Sequence, residues 1–369
     1  MPSTSDRNPI NPIAFIPNAD LYDLNEAPYL WNIDCVNFDE SRTIIFGWCL
    51  PHGGLIGNTN IVINGRAYEP IQRQPEGVYA QLYPWCPNAA FSAFMLEIPH
   101  DFVDIRNATE VSISCVPKSG PLPSSQYTLE FLVNDLSYAP PPEDIAARIG
   151  VSNPLQYVMY GRSIYRGFEK ALAKNFGTSF ADYQTIMDWG CGSARITRHV
   201  LPKIGRSARL VGFDIDEYAI NWSNINVGRF FNVCNTNPPL GQASASVDVV
   251  YAYSVFTHLA TENMRIWVEE MARVLKPGGI GLFTVLSDRA MVTLHPNLSR
   301  SSLEDWNLVG VYDSAQNAQL ESIGVSGAYY RNVWCKRGFL DEVFGKYFDT
   351  VDFIGHFHFY QDLLVVRRR

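Results

Sequence analysis

The segment QTIMDWGCGSARITRHVL (184–201) constrains the chain more than any other stretch. Thr185 to Asp188 has the look of a short buried strand, Gly190 and Gly192 of a tight turn, and Ala194 to Leu201 of a helix. A strand that stops at a glycine turn and restarts as a helix presents backbone N–H groups at the carboxyl edge of a sheet, where the missing Cβ atoms let a ligand approach the main chain. A second strand, RLVGFD, ends in Asp214, 22 residues past Gly192. An acidic side chain at that tip accepts hydrogen bonds from both hydroxyls of a ribose, so turn and acid together specify a nucleoside cofactor.

The rest of the chain falls into two halves. From about residue 30 to 137 the pattern is that of short strands divided by turns: TIIFGWCL (43–50), NIVING (60–65), GVYAQLY (77–83), AFSAFMLEI (90–98), EVSISCV (110–116) and YTLEFLV (127–133). Asn64-Gly65 is a two-residue hairpin signal, and about six such strands predict a small all-β, sandwich-like domain of unknown role. Residues 1–29 read as an amino-terminal extension and 138–150 as a proline-rich linker, Pro140 to Pro142, with a helix start. Beyond it helices and strands alternate over 151–369, the signature of a parallel sheet covered on both faces.

Composition narrows the class. With 47% hydrophobic residues the chain has ample material for packed cores. A formal charge of −8 and a pI near 5.4 argue against a nucleic-acid partner, since the basic run Arg367 to Arg369 is short and terminal. No secretory signal or membrane-length apolar run is visible, and seven scattered cysteines suggest neither a disulfide framework nor a metal site. These features predict a soluble cytoplasmic protein, with dimerisation an option for the β half.

The dinucleotide fingerprint GxGxxG fails, because Arg195 stands at its third glycine. IMDWGCGSARITRHV instead resembles motif I of class I S-adenosylmethionine-dependent methyltransferases. SVDVVYAYSVFTHL (246–259) resembles that family's fourth strand and loop, and EEMARVLKPGGIGLFTV (269–285) its helix, Lys-Pro-Gly-Gly turn and fifth strand. The resemblance covers about residues 150 to 369. It implies a Rossmann-like methyltransferase sheet of order 3-2-1-4-5-7-6, and S-adenosyl-L-methionine as cofactor.

By that resemblance Asp188 orients the glycine loop or the cofactor's amino group. Gly190, Cys191 and Gly192 pass beside its methionine and ribose, Asp214 binds the ribose hydroxyls, and Ile215 flanks the adenine. Tyr157, Tyr160 and Gly161 lie on a covering helix, and Tyr253, Ser254 and His258 follow the fourth strand near the reactive methyl. Two departures stand out: Ala194 replaces the last glycine of GxGxG, and Asn235 stands where relatives carry an adenine-binding aspartate. YFDTVDFIG (347–355) and QDLLVVRR (361–368) are expected as the sixth and seventh strands, which brings His356, His358 and Gln361 to the ligand edge.

About sixty residues separate the fifth and sixth strands, a length that implies a cap or pocket over 288–335. Glu304, Trp306, Asp313, Tyr329, Tyr330 and Trp334 are its candidates, with Ser287, Asp288 and Arg289 at the rim. Trp31, Trp48 and Trp85 form either a sugar-stacking face or core of the β half. The expected chemistry is O-methylation of a small-molecule or saccharide acceptor without a metal, with His258, His356 or His358 as base. Two alternatives stay open: an NAD-dependent oxidoreductase on the same geometry, and a non-catalytic cofactor-binding scaffold.

Overall fold

A computed structural model describes residues 30–38, 41–50, 56–82, 88–99, 111–118, 129–131, 139–148, 151, 154–288, 290 and 300–369. The extension 1–29, Trp85 and Arg289 lie outside these residues.

The amino-terminal half contributes β1 (Leu30–Phe38), β2 (Arg42–Leu50), β3 (Thr59–Ile63), β4 (Arg66–Tyr68), β5 (Ile71–Gln72), β6 (Ala93–Pro99), β7 (Val111–Pro117) and β8 (Leu129–Phe131). They pair antiparallel in two four-stranded sheets, β1-β2-β6-β5 and β4-β3-β7-β8. Period-two alternation puts Ile33, Ile45, Phe94 and Leu96 of one sheet and Ile61, Ile63 and Ile113 of the other into one apolar cluster. Asn64 and Gly65 form the hairpin turn between β3 and β4 with φ of 48° and 81°, both left-handed as a two-residue hairpin requires.

One expected strand is a helix. Residues of GVYAQLY form α1 (Gly77–Leu82). Their β-branched and aromatic content suggested a strand, but Val78 is 51% exposed and the segment joins none of the sheets among the described residues. Conversely, β1 went unread as a strand because its polar residues, Asn32, Asp34 and Asn37, mask the alternation.

Pro142 precedes α2 (Glu143–Ala147), whose first turn carries Glu143 and Asp144, favourable at a helix amino terminus. The long α3 (Pro154–Phe176) leads into β9 (Thr185–Trp189) and α4 (Thr197–Val200). Then come β10 (Arg209–Asp214), α5 (Glu217–Asn226), β11 (Phe231–Val233), β12 (Val247–Ala252), α6 (Thr261–Val274) and β13 (Leu275–Val285). The chain continues through α7 (Arg300–Val309), β14 (Val311–Gln316), β15 (Arg331–Cys335), α8 (Arg337–Phe344), β16 (Phe348–His358) and β17 (Gln361–Arg368).

Seven of these strands form one sheet in the order β11-β10-β9-β12-β13-β17-β16, parallel except for β17. Alternate residues serve opposite faces. Met187, Val250 and Phe283 pack under α6 and α8, whereas Ile186, Val249 and Leu282 pack under α3. The strand order reverses direction between β9 and β12, which opens a crevice at their carboxyl ends. The β14–β15 ribbon is tied over that crevice by the β12–α6 loop, through Arg331 N–H to His258 O (2.9 Å) and Val333 N–H to Thr257 O (2.8 Å). Among the described helices none is long and apolar enough to cross a membrane.

Candidate functional site

Where β9 ends, Gly190 and Gly192 take φ of 78° and 48°, conformations that penalise any residue with a Cβ. Ala194 shares this left-handed region at 62° and is fully buried, so the turn persists without its last glycine. A Cβ on Gly190 would stand 2.2 Å from Val255, and one on Gly192 would point at the Asp214 carboxylate, 3.9 Å away. Gly192 N–H donates to Asp214 Oδ2 (2.7 Å) and Asp216 N–H to Oδ1 (2.9 Å), which fixes the carboxylate. Each oxygen keeps further acceptor capacity for a diol. Burial raises the Asp214 carboxyl, opposed by these backbone N–H groups.

Asp188 is buried behind the loop, where the Thr197 hydroxyl donates to it. Burial pushes its carboxyl up to about 7, opposed by hydrogen bonds from Thr197 and Tyr251. The covering helix α3 clamps the same loop. Tyr157 donates to Ser193 O (2.7 Å), and Gly161 sits so close that a Cβ would lie 2.1 Å from Arg195 O.

The loop opens into a cavity of about 820 Å³. Its walls include Gly190, Gly192, Asp214 and Ile215; Ile145 and Arg148 from the end of α2; Tyr253, Ser254 and His258 after β12; Tyr329, Tyr330 and Asn332 of the cap; and His358 to Gln361 at the β16–β17 turn. Arg148 ion-pairs with Asp216, the amino-terminal cap of α5, and thereby ties α2 across the cleft. The volume suits a nucleoside cofactor together with a small second ligand.

The sequence profile of the methyltransferase-domain family matches residues 187–283, from β9 through β13. That match marks residues 187–283 as a methyltransferase domain. A tRNA (carboxymethyluridine(34)-5-O)-methyltransferase of Arabidopsis thaliana is 29% identical over 136 residues, 36% of this chain and 32% of that protein. A malonyl-[acyl-carrier protein] O-methyltransferase of Hahella chejuensis is 35% identical over 100 residues, 26% of this chain and 34% of that protein. The chain thus spans about a third of the length of these curated relatives. A solved structure of a Streptomyces coelicolor geranyl diphosphate C-methyltransferase, with S-adenosyl-L-homocysteine bound, aligns at 13% identity over 62% of this chain and 83% of that one, with a TM-score of 0.39.

The three candidate histidines separate in the structure. His258 lines the cavity, stacked on Tyr330 at 4.4 Å, with Nδ1 2.8 Å from Arg331 O and Nε2 3.4 Å from Ser254 Oγ. A carbonyl only accepts, so Nδ1 carries the proton and Nε2 the lone pair. Burial lowers its pKa to about 4, against the raising effect of hydrogen bonds to Arg331 and Asn332. His358 also lines the cavity, with Nδ1 2.9 Å from the Tyr253 hydroxyl; burial and the nearby Arg195 lower it to about 3. Arg195 itself lies over the Tyr253 ring at 5.2 Å. His356 is a correction. It is buried away from the cavity lining, in a left-handed turn where its N–H donates to Asp362 (2.7 Å), because an irregularity before His358 breaks the strand's alternation.

Further expectations need revision around the methyltransferase domain. Asn235 is exposed and off the cavity wall, whereas its neighbour Cys234, the residue after β11, lines it. Gly161 is off the wall too, since its space is taken by the Arg195 carbonyl. In the cap, Trp306 and Trp334 pack with Leu286 and Ala290, Glu304 is exposed, and Asp313 accepts from Thr261 N–H (3.0 Å) and Oγ1 (2.8 Å) at the start of α6. Ser287 and Asp288 are also away from the lining. Sequence reasoning missed Asn32, Asp34, Ile145 and Arg148, which reach the cavity from outside the recognised motifs. Of these, Ile145 and Arg148 lie in the predicted helix start.

Proposed function

We propose that the chain transfers a methyl group from S-adenosyl-L-methionine to a hydroxyl of a small-molecule acceptor. The observation that carries this reading is the bracket formed by Gly192 and Asp214: a glycine bend whose N–H fixes a carboxylate facing the same cavity. At a φ of 48° Gly192 takes a turn that a Cβ would strain, and the fixed carboxylate beside it suits a ribose diol. Asp214 would take the hydroxyls, Ile215 and Cys234 would flank the base, and Asp188 would hold the loop.

When bound, the cofactor supplies a methyl already activated on a sulfonium, so the protein's main task is to align the acceptor. Tyr253, Ser254 and His258 line the cavity beyond the glycine loop, and His258 is the base we assign. Its neutral state at pH 7 follows from the lowered pKa, and its Nε2 lone pair is set by the bond at Nδ1. His358 and Arg195 position Tyr253 from two sides.

Isothermal calorimetry tests the cofactor. S-adenosylhomocysteine is expected to bind and NAD not, and Asp214→Ala is expected to weaken binding by about a hundredfold, as loss of a charge-assisted pair of hydrogen bonds implies. Binding of NAD alone would establish the oxidoreductase instead. Labelled cofactor incubated with fractionated extract then identifies the acceptor. RNA belongs among the fractions because one relative acts on tRNA. Binding without transfer to any fraction would support the scaffold reading. With the acceptor in hand, His258→Ala is expected to lower kcat by about a hundredfold with cofactor affinity unchanged.

A further inference from the structure

Asn32, Asp34 and Trp48 belong to β1 and β2 of the amino-terminal sheets, yet they line the same cavity as the glycine loop. Their placement is built. Ile33 pairs with Gly47 and Cys35 with Phe46, so Asp34 is the extra residue of a β-bulge. Bulges re-aim side chains and gather beside functional sites. Asn32 is fixed at both ends of its amide: Nδ2 donates to Asp34 Oδ1 (2.9 Å), and Oδ1 accepts from the Tyr160 hydroxyl (2.6 Å). That hydroxyl in turn accepts from Gln156 Nε2 (2.8 Å). Trp48 is held against Tyr79, ring centroids 5.9 Å apart.

Elsewhere on the cavity wall Gln361 is 94% buried, with Nε2 donating to Ser254 Oγ (2.9 Å). Its Oε1 has no hydrogen-bond partner among the described residues. A buried acceptor left unsatisfied is costly, and an incoming O–H relieves it.

We propose that the amino-terminal sheets complete the acceptor subsite, where Asp34 and Gln361 take hydroxyl groups of a polyhydroxylated, sugar-like ring that packs against Trp48. Identification of this ligand as the methyl acceptor rests on the methyl-transfer reading above. The chemistry selects against other ligands. An acyl chain would leave the Gln361 carbonyl without a donor. An ammonium group offers donors only, whereas Ser254, Tyr330 and Asn332 add groups that donate as well as accept. Aromatic faces suit the C–H faces of a ring.

Burial pushes the Asp34 carboxyl up to about 6, opposed by the Asn32 amide; Glu76 raises it further and Arg73 lowers it. Tyr79 on α1 and Tyr160 on α3, the other titratable groups near it, have hydroxyls raised by burial and stay neutral. Asp34 therefore takes a proton as pH falls through about 6, and ring binding weakens on that side.

Ligand-observed saturation-transfer NMR tests this on the full chain with S-adenosylhomocysteine present. The probes are methyl α-D-glucopyranoside, methyl α-D-mannopyranoside and methyl α-L-rhamnopyranoside, with benzylamine as the cationic comparison. At least one glycoside is expected to bind, to lose affinity at least about tenfold in Asp34→Asn, and to show an acid limb that this variant lacks. Trp48→Phe, which keeps a ring, is expected to retain part of the binding. Calorimetry of S-adenosylhomocysteine on the same samples reports folding and the cofactor site separately, and is expected to give unchanged affinity in both variants. Cofactor binding with no glycoside bound, glycoside binding indifferent to Asp34, or benzylamine as the sole binder would each overturn the sugar subsite while leaving methyl transfer standing.

Discussion

At Gly161 a β-carbon would meet the Arg195 carbonyl at 2.1 Å, and neither helix backbone nor loop backbone yields cheaply. Gly161→Ala is expected to cost roughly 1–3 kcal/mol, as overpacking does, and to displace the glycine loop. A lowered Tm together with weaker S-adenosylhomocysteine binding checks both halves of that expectation. His258 and His358 make a second residue-scale argument. Unfolded histidines bind protons below about 6.5, whereas these resist until about 4 and about 3 because burial disfavours the charged ring. The unfolded state therefore binds more protons in that window. The stability concerned is complete above about pH 6.5 and is lost as pH falls through the folded values. Asp34 and Asp188, with raised carboxyls, act in the opposite direction. The histidine share is thus read from a comparison: the fall in Tm between about pH 7 and about pH 5 is expected to be smaller in His358→Gln than in the wild-type chain.

Among the elements, the β14–β15 ribbon decides how the cap meets the crevice. Asp313 on β14 accepts two hydrogen bonds from Thr261 and so caps α6 from a distant part of the chain. Asp313→Ala is expected to cost about 1 kcal/mol, the usual loss for a helix cap, and to loosen Tyr329 and Tyr330 over the cavity. Hydrogen exchange at the start of α6 and along β15 measures the loosening. The ribbon and β1 were hard to read in the sequence for one reason. Each carries polar residues where it meets the site, Asn332 in β15 and Asn32 and Asp34 in β1, so hydrophobic periodicity does not announce it. The glycine loop was legible because turn, strand and acid are neighbours in the chain.

Across the whole molecule, α3 joins the two halves. Tyr157, Val158, Met159 and Tyr160 of this helix share a core with Trp31, Ile61 and Ile113 of the amino-terminal sheets, while Ile164, Phe168 and Leu172 pack on the seven-stranded sheet. Each such large side chain contributes about 2 kcal/mol when fully buried. A chain beginning at residue 139 is expected to expose the first set, to unfold at lower temperature and to bind a hydrophobic dye. Differential scanning fluorimetry of both lengths decides it, and equal Tm values would show that the halves are independent.

The amino-acid order by itself determined the α/β half, the glycine bend and the pairing of Gly192 with Asp214, because each follows from local periodicity or from one strand-turn-helix unit. Tertiary structure alone decided the company this bend keeps. Asp34 from β1, Arg148 from α2, Tyr330 from the cap and Gln361 from β17 meet around one cavity although more than 300 residues separate the first from the last. Side chains so far apart in the chain are brought together by burial of apolar faces, a force without direction that records no partner in the local pattern.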